Sequence, residues 1–224
     1  MGFQIAIDGP VGSGKSSVSR ELARRLGFAH IDTGAMYRAA GLFATRRGAG
    51  LFDEAAVSAL LPEISISVNH CDGVQLIFLN GEDVSREIRT QAASNAASKV
   101  SAFPAVREKL VELQRRLAEK TDVVMDGRDI GTHVLPDADL KIYLDAPPEI
   151  RAERRFKELL PANPELSLEA VIKETVERDD FDSNREHSPL RRAPGAVLIN
   201  VGGMSLAGVV DEIYALAARK RKSL

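Results

Sequence analysis

The residues best suited to chemistry stand close to the N-terminus. Ile5-Ala6-Ile7-Asp8 reads as a buried strand, and Gly9-Pro10-Val11-Gly12-Ser13-Gly14-Lys15-Ser16-Ser17 follows it. Gly9 and then Gly14-Lys15-Ser16 have the spacing of a phosphate-cradling loop. Glycines let such a loop turn its N–H groups toward one anion. The helix that begins near Lys15 adds the positive end of its dipole. Lys15 suits the terminal phosphates of a nucleoside triphosphate, and a hydroxyl from Ser16 or Ser17 suits Mg²⁺. A glycine-rich link between packed elements is the plainer reading; the strand before and the helix after favour the phosphate loop.

Asp126 ends a second apolar run, Val123-Val124-Met125. An acid there can hold Mg²⁺ beside a phosphate loop, and it can equally be a strand-end turn former with Gly127. Arginines gather at predicted element ends: Arg38, Arg107, Arg128, Arg151, Arg154, Arg155, Arg178 and Arg185. Phosphoryl transfer spreads charge over several oxygens and uses cationic clamps from several directions. The planar guanidinium fork matches phosphate better than an ammonium does. Taken singly, any of these arginines reads as a solvated charge. Arg151 and Arg155 fall one helical turn apart with Arg154 adjacent, a crowding that an anion would relieve.

The elements that must position these residues alternate between strand and helix. Val18, Leu22 and Leu26 predict a helix over 15–26, stopped by Gly27. A strand over 28–31 leads into a helix with Thr33 as candidate N-cap. Asp53 and Ser205 are further candidate caps. Ile64, Ile66 and Val68, then Val74, Leu76 and Phe78, predict a β-hairpin with those residues on its buried face and a turn at 69–73. Helices are predicted over 90–101, 105–120, 149 onward, 168–180 and 205–219. Strands over 140–144 and 197–199 complete a five-stranded parallel α/β sheet with helices on its flanks. Two excursions interrupt it, near 35–115 and 150–190.

Composition narrows the classes. The chain has 224 residues, 44% hydrophobic and 28% charged, which suits one domain with insertions. Its net charge of −2 gives no global field for nucleic acid or a membrane surface. The single cysteine, Cys71, allows no internal disulfide and suits a reducing compartment. No apolar run reaches membrane-spanning length, and Asp8 comes too early for a signal peptide. The expectation is a cytoplasmic monomer with no nucleic-acid or membrane partner.

Several segments resemble one family. Asp8-Gly9-Pro10, Asp32-Thr33-Gly34-Ala35-Met36-Tyr37-Arg38, Gly81-Glu82-Asp83-Val84, Arg107-Glu108, Asp126-Gly127-Arg128-Asp129-Ile130-Gly131-Thr132 and Arg178-Asp179-Asp180 look like the bacterial cytidylate (CMP) kinases. The resemblance covers nearly the whole chain in the family's order. It implies a P-loop kinase of the nucleoside monophosphate kinase class: residues 1–34, 116–150 and 186–224 as core, 35–115 as the monophosphate-binding insertion with its small antiparallel β element, and 151–185 as a short lid. It implies transfer of the ATP γ-phosphate to CMP or dCMP, with Mg²⁺.

By the same resemblance, Gly9 to Ser17 hold the ATP phosphates, with Arg151, Arg154 and Arg155 in the lid. Arg38 and Arg128 grip the CMP phosphate, and Arg185 adds to them. Ser98, Arg107 and Asp129 read the cytosine edge, while Thr33 and Tyr37 line that site. Arg178 and Asp182 meet the ribose and phosphate region. Lys15, Arg128, Arg185 and Asp126 are the implied catalytic set, with Ser16 and Asp126 toward the metal. One departure concerns Ser16 and Ser17, which stand where related kinases carry Gly then Thr; which hydroxyl faces the metal is left open. Rivals are another small-molecule kinase (UMP/CMP or shikimate type), a nucleotide switch, and a nucleic-acid-binding NTPase. Arg107 with Asp129 argues against the first. The lack of an Asn-Lys-x-Asp segment argues against the second, and the charge balance against the third.

Overall fold

Apolar segments too short to bury themselves alone pair side by side, and helices cover the two faces this creates. The computed structural model describes residues 2–71, 74–161 and 163–222. Along the chain run β1 (Gln4–Asp8), α1 (Lys15–Leu26), β2 (Ala29–Asp32), α2 (Thr33–Arg46), α3 (Glu54–Ala59), β3 (Ile66–Cys71), β4 (Val74–Leu79), β5 (Glu82–Asp83), α4 (Gln91–Val100), α5 (Pro104–Ala118), β6 (Val123–Gly127), β7 (Leu140–Asp145), α6 (Pro148–Leu159), α7 (Leu168–Asn184), β8 (Val197–Asn200) and α8 (Leu206–Lys222).

The main sheet has five strands in the order β2-β6-β1-β7-β8, every pair parallel. The period of two sorts its side chains. Ile5, Ile7, Val124, Ile142 and Leu144 face α1 and α8, whose Val18, Leu22, Val209, Val210 and Ile213 meet them. Ala6, Ile31, Val123 and Met125 face the other way, toward Met36 of α2 and Val106 and Leu110 of α5. Each fully buried Leu or Ile contributes about 1.5–3 kcal/mol over an exposed one. The carboxyl ends of β1, β2 and β6 finish level: Asp8 pairs with Gly127 and Asp32 with Asp126. From the end of β1 the chain crosses to β2 on one side, and from the end of its neighbour β6 it crosses to β7 on the other. That is where an open α/β sheet forms its crevice.

The predicted hairpin is present as β3 and β4, joined by the short β5 in a three-stranded sheet. Asp72 and Gly73 of its predicted turn lie outside the described residues. Its register in β4 corrects the expectation. The buried residues are Gln75, Ile77 and Leu79 rather than Val74, Leu76 and Phe78, and Val74 is exposed. Leu79 pairs with Ile66 and Ile77 with Val68, so both strands present one face to α2. The run Val74–Leu79 is apolar at both parities except at Gln75, so alternation did not choose between its faces. What chooses is Gln75, whose Oε1 accepts from Asp32 N at 2.8 Å and whose Nε2 donates to Asp32 O at 3.2 Å.

The predicted caps at Asp53 and Ser205 form, accepting from Ala56 N and Gly208 N. Thr33 is not the cap of α2. Asp32 is, accepting from Ala35 N at 2.9 Å, and Thr33 is the first helical residue. The carboxylate of Asp32 satisfies an orphan N–H and complements the helix dipole, which Thr33 is one position too late to do.

Candidate active site

A cavity of about 290 Å³ opens at the carboxyl end of the sheet, between the loop after β1, the helices α2 and α4 of the insertion, and α6 and α7. Its wall contains Val11, Gly12, Gly14, Lys15, Ser16 and Ser17, together with Asp126. The far side contains Thr33, Tyr37, Arg38, Ser98, Arg107, Arg128, Asp129, Arg155, Arg178, Asp182 and Arg185. Residues scattered from 11 to 185 thus converge on one space. Gly9, Pro10 and Ser13 of the loop are buried behind it.

The loop owes its path to two glycines. Gly14 has φ 84° directly before α1, a left-handed turn that a side chain would strain. Gly12 has φ 72°, and a Cβ there would come within 2.8 Å of the Arg151 carbonyl oxygen. Lys15 folds over the loop, donating from Nζ to Pro10 O at 2.7 Å. Burial, with Arg128 adding to it, holds its ammonium well below the usual lysine pKa.

Of the two serines, it is Ser16 that reaches Asp126. Ser16 Oγ donates to Asp126 Oδ2 at 2.7 Å. The other oxygen, Oδ1, lies 2.8 Å from His30 Nε2. Among the described residues no three His, Cys, Asp or Glu side chains converge on a metal position. A hydroxyl and a carboxylate facing the cavity nevertheless fit Mg²⁺, a hard ion that takes one or two protein oxygens and completes its shell with phosphate and water.

On the far side Arg38, Arg107, Arg128, Arg155 and Arg185 each have a carboxylate partner. Arg38 pairs with Asp32 at 2.9 Å, and Arg128 Nε with Asp182 Oδ2 at 2.9 Å. Arg185 lies 4.0 Å from the other oxygen of Asp182 and donates to Ser101 Oγ at 3.0 Å. Burial would raise the pKa of Asp182, but Arg128, Arg185 and Arg178 outweigh it and lower it. Burial brings Arg178 down to about 10, helped by Arg128. Arg107 and Asp129 form a hydrogen-bonded ion pair that is almost fully buried, and the Arg107 guanidinium lies 5.6 Å from the centre of the Tyr37 ring. Burial pushes the Tyr37 hydroxyl up to about 12.

Asp129 is presented by the turn that follows β6. Asp8, buried at the end of β1, accepts from Ile130 N at 2.7 Å and Gly131 N at 2.8 Å. Burial raises Asp8 to about 7 against the pull of those two bonds. Asp8 therefore fixes the turn behind Asp129 rather than facing the cavity.

The three arginines of α6 separate. Arg155 lines the cavity and reaches Gln91 of α4. Arg154 turns away and donates to Val201 O at 2.7 Å. Arg151 is buried, donating to Val11 O at 2.9 Å and Ala146 O at 2.7 Å and pairing with Asp179 at 2.6 Å. Internal acceptors relieve the crowding that the sequence suggested an anion would relieve. Residues that the sequence reading did not assign to the site are His30, Ser101 and the cap Asp32. His30 and Ser101 carry no motif, and their partners Asp126 and Arg185 lie 96 and 84 positions away.

This arrangement joins a triphosphate-type loop to an opposite wall that contains the buried Arg107–Asp129 pair. The sequence model of the cytidylate kinase family matches residues 5–219. The chain belongs to the cytidylate kinase family. A cytidylate kinase of Carboxydothermus hydrogenoformans is 46% identical over 222 residues, covering 99% of this chain and all of that relative. One of Pelotomaculum thermopropionicum is 48% identical over 219 residues, covering 97% of each. The crystal structure of an uncharacterised protein of Eubacterium ventriosum superposes with a TM-score of 0.52 at 12% identity, over 96% of this chain and 98% of that one. That likeness concerns the fold alone. Within the cytidylate kinase family, then, this chain is an enzyme of the nucleotide-phosphorylating class.

Proposed function

We propose that this chain phosphorylates CMP and dCMP to CDP and dCDP with ATP as donor. The observation that carries the reading is the buried Arg107–Asp129 pair in the wall of the cavity that also holds Lys15, Ser16 and Asp126. Cytosine offers an exocyclic amine as donor beside a ring nitrogen and a carbonyl that accept. Asp129 accepts from the amine, and Arg107 donates to the acceptors. Uracil reverses that edge and sets an acceptor against the carboxylate. A buried mismatch of this kind costs a few kcal/mol, or about a hundredfold in selectivity.

The transfer is direct. A phosphate oxygen of CMP forms a bond to the γ-phosphorus as the bond to the ADP leaving oxygen breaks. The acceptor is already an anion, so no strong general base is required. Lys15 and the loop N–H groups hold the β- and γ-phosphates. Arg38 and Arg128 hold the phosphate of CMP, with Arg185 and Arg178 neutralising the approach of two anions. Ser98 adds to the base site, and Asp182 meets the ribose. Ser16 and Asp126 hold Mg²⁺, which when bound neutralises phosphate charge in the transition state. Residues 35–115 and the lid 151–185 close over the reactants and exclude water, which would otherwise intercept the γ-phosphate. We place the enzyme in the cytoplasm as a monomer; no described helix is long and apolar enough to cross a membrane.

An acceptor panel with ATP and Mg²⁺ tests the assignment. CMP and dCMP should be phosphorylated about a hundredfold more efficiently than UMP. Preference for UMP, or for a non-nucleotide acceptor, would overturn it.

A further inference from the structure

Behind Ser16 lies a second cavity of about 210 Å³, between α1, α2 and β4, and His30 forms part of its wall. His30 sits on β2, paired in register with Val124, and the strand period puts its side chain on the same sheet face as Asp126. It is buried, 7% exposed. Its Nε2 lies 2.8 Å from Asp126 Oδ1, while Ser16 Oγ donates to Oδ2. A carboxylate only accepts, so Nε2 carries the hydrogen of that bond. The backbone on either side is also fixed. His30 O accepts from His70 Nε2 at 2.6 Å, and Asp32 is clasped by Gln75.

We propose that His30 is a positioning residue for the metal site, holding the Asp126 carboxylate in the orientation in which it and Ser16 together face the cation. This rests on the reading of Ser16 and Asp126 as the Mg²⁺ holders. A carboxylate at a strand end rotates readily about its terminal torsion. One donor on each oxygen removes that freedom. Displacement of the Ser16 hydroxyl toward a cation leaves Oδ2 available, and the His30 bond to Oδ1 then fixes the carboxylate alone. Partners of this kind behind a metal-binding side chain commonly alter metal affinity or activity ten- to a hundredfold. Packing alone does not account for the placement: an aliphatic side chain would fill the same space and leave Oδ1 without a donor.

The test compares His30→Leu, His30→Gln and His30→Asn. Mn²⁺ is the probe, with binding followed by its EPR signal in the presence of a non-hydrolysable ATP analogue. Asp126→Asn is measured alongside, and thermal melts monitor the fold. Gln carries an amide N–H near the position of Nε2; Asn is too short to reach. His30→Leu and His30→Asn should weaken Mn²⁺ about tenfold, and His30→Gln should recover most of that loss. KM for CMP should stay within about twofold in all three, because His30 does not line the cavity that contains Arg107 and Asp129. An unchanged Mn²⁺ constant in a folded His30→Leu protein overturns the proposal. If His30→Leu does not fold, the Gln and Asn proteins decide, and equal Mn²⁺ constants for these two overturn it. If Asp126→Asn leaves Mn²⁺ binding unchanged, the metal reading itself fails, an outcome distinct from a failure at His30 alone.

Discussion

The two sides of the cavity hold their cations in opposite ways. On the side of the phosphate loop, positive groups rest on backbone carbonyls: Lys15 on Pro10 O, and Arg151, buried behind the loop, on Val11 O and Ala146 O. On the acceptor side they rest on carboxylates, Arg38 on Asp32, Arg107 on Asp129, Arg128 and Arg185 on Asp182, and only at longer distances on carbonyls such as Ser101 O and Gly127 O. A carbonyl is a dipole fixed in the chain, so a cation resting on it helps shape the fold. A carboxylate is a charge that competes with the charge of a substrate phosphate. The first kind of partner builds the loop, and the second keeps guanidiniums paired at the wall where we propose that phosphate is received. Arg151 is the bridge between them, because it also pairs with Asp179.

Changes at Lys15 should break the comparison most severely. It rests on a carbonyl like Arg151, yet it faces the cavity. Lys15→Ala is expected to lower kcat about 10³-fold with an unchanged circular dichroism spectrum. Full activity would remove the loop from the chemistry. At the next level, Asp129→Ala should weaken CMP far more than ATP and also cost about 3–5 kcal/mol of stability, because Arg107 is left buried and unpaired. The double change Arg107→Met, Asp129→Leu should regain stability without regaining CMP affinity. Equal loss for both nucleotides in Asp129→Ala would count against its cytosine role.

Arg151 and Arg128 sharpen the contrast between carbonyl and carboxylate partners. Arg151→Met abandons two buried carbonyls and should cost about 2–3 kcal/mol in urea unfolding. Arg128→Met, whose buried partner Asp182 keeps Arg185 nearby, should cost less stability than Arg151→Met while kcat falls about a hundredfold. The reverse ranking would show that partner type does not separate the two roles.

Asp8 sets a pH dependence rather than a contact to be lost. Its folded pKa of about 7 lies above the ordinary value of 3.8, so the folded chain binds more protons between those values. Stability then falls as pH rises from about 4 to 7, by at most about 1.4 kcal/mol per pH unit from this one group. Asp8→Asn should flatten that part of a stability–pH curve measured by denaturant melts. An unchanged slope would mean that Asp8 is ionised in the fold throughout.

Much of the phosphate-loop half was legible in the sequence because it is contiguous. Strand, loop and helix follow one another within residues 4–26, and Gly14 and Gly27 flank the helix. Asp126 was legible as an acid ending an apolar strand. In the acceptor half the sequence showed a set of candidate arginine clamps, but their separate roles were readable only through resemblance to a family, since the partners come from α2, α4, α5, the β6 end and α7. His30 and Ser101 were invisible for the same reason: each is ordinary in its own segment and acquires meaning from a residue far along the chain. Arg151 misled because spacing on a helix says which charges are neighbours, while the path of each side chain depends on acceptors elsewhere. The β4 register failed where a uniformly apolar run gives no parity, and the Gln75 contact that decides it lies on another strand.

That contact has a consequence beyond register. β2 is a border strand of the parallel sheet, and a border strand offers its N–H and C=O groups to any extended chain that approaches. The Gln75 amide occupies both groups of Asp32, in the manner of one rung of an additional strand. The insertion thereby shields the sheet against edge-to-edge association between copies at the point where the capping carboxylate of α2 must also be held. A Gln75→Ala chain would keep its hairpin and lose that guard, so self-association on standing at high concentration should expose the loss before activity does.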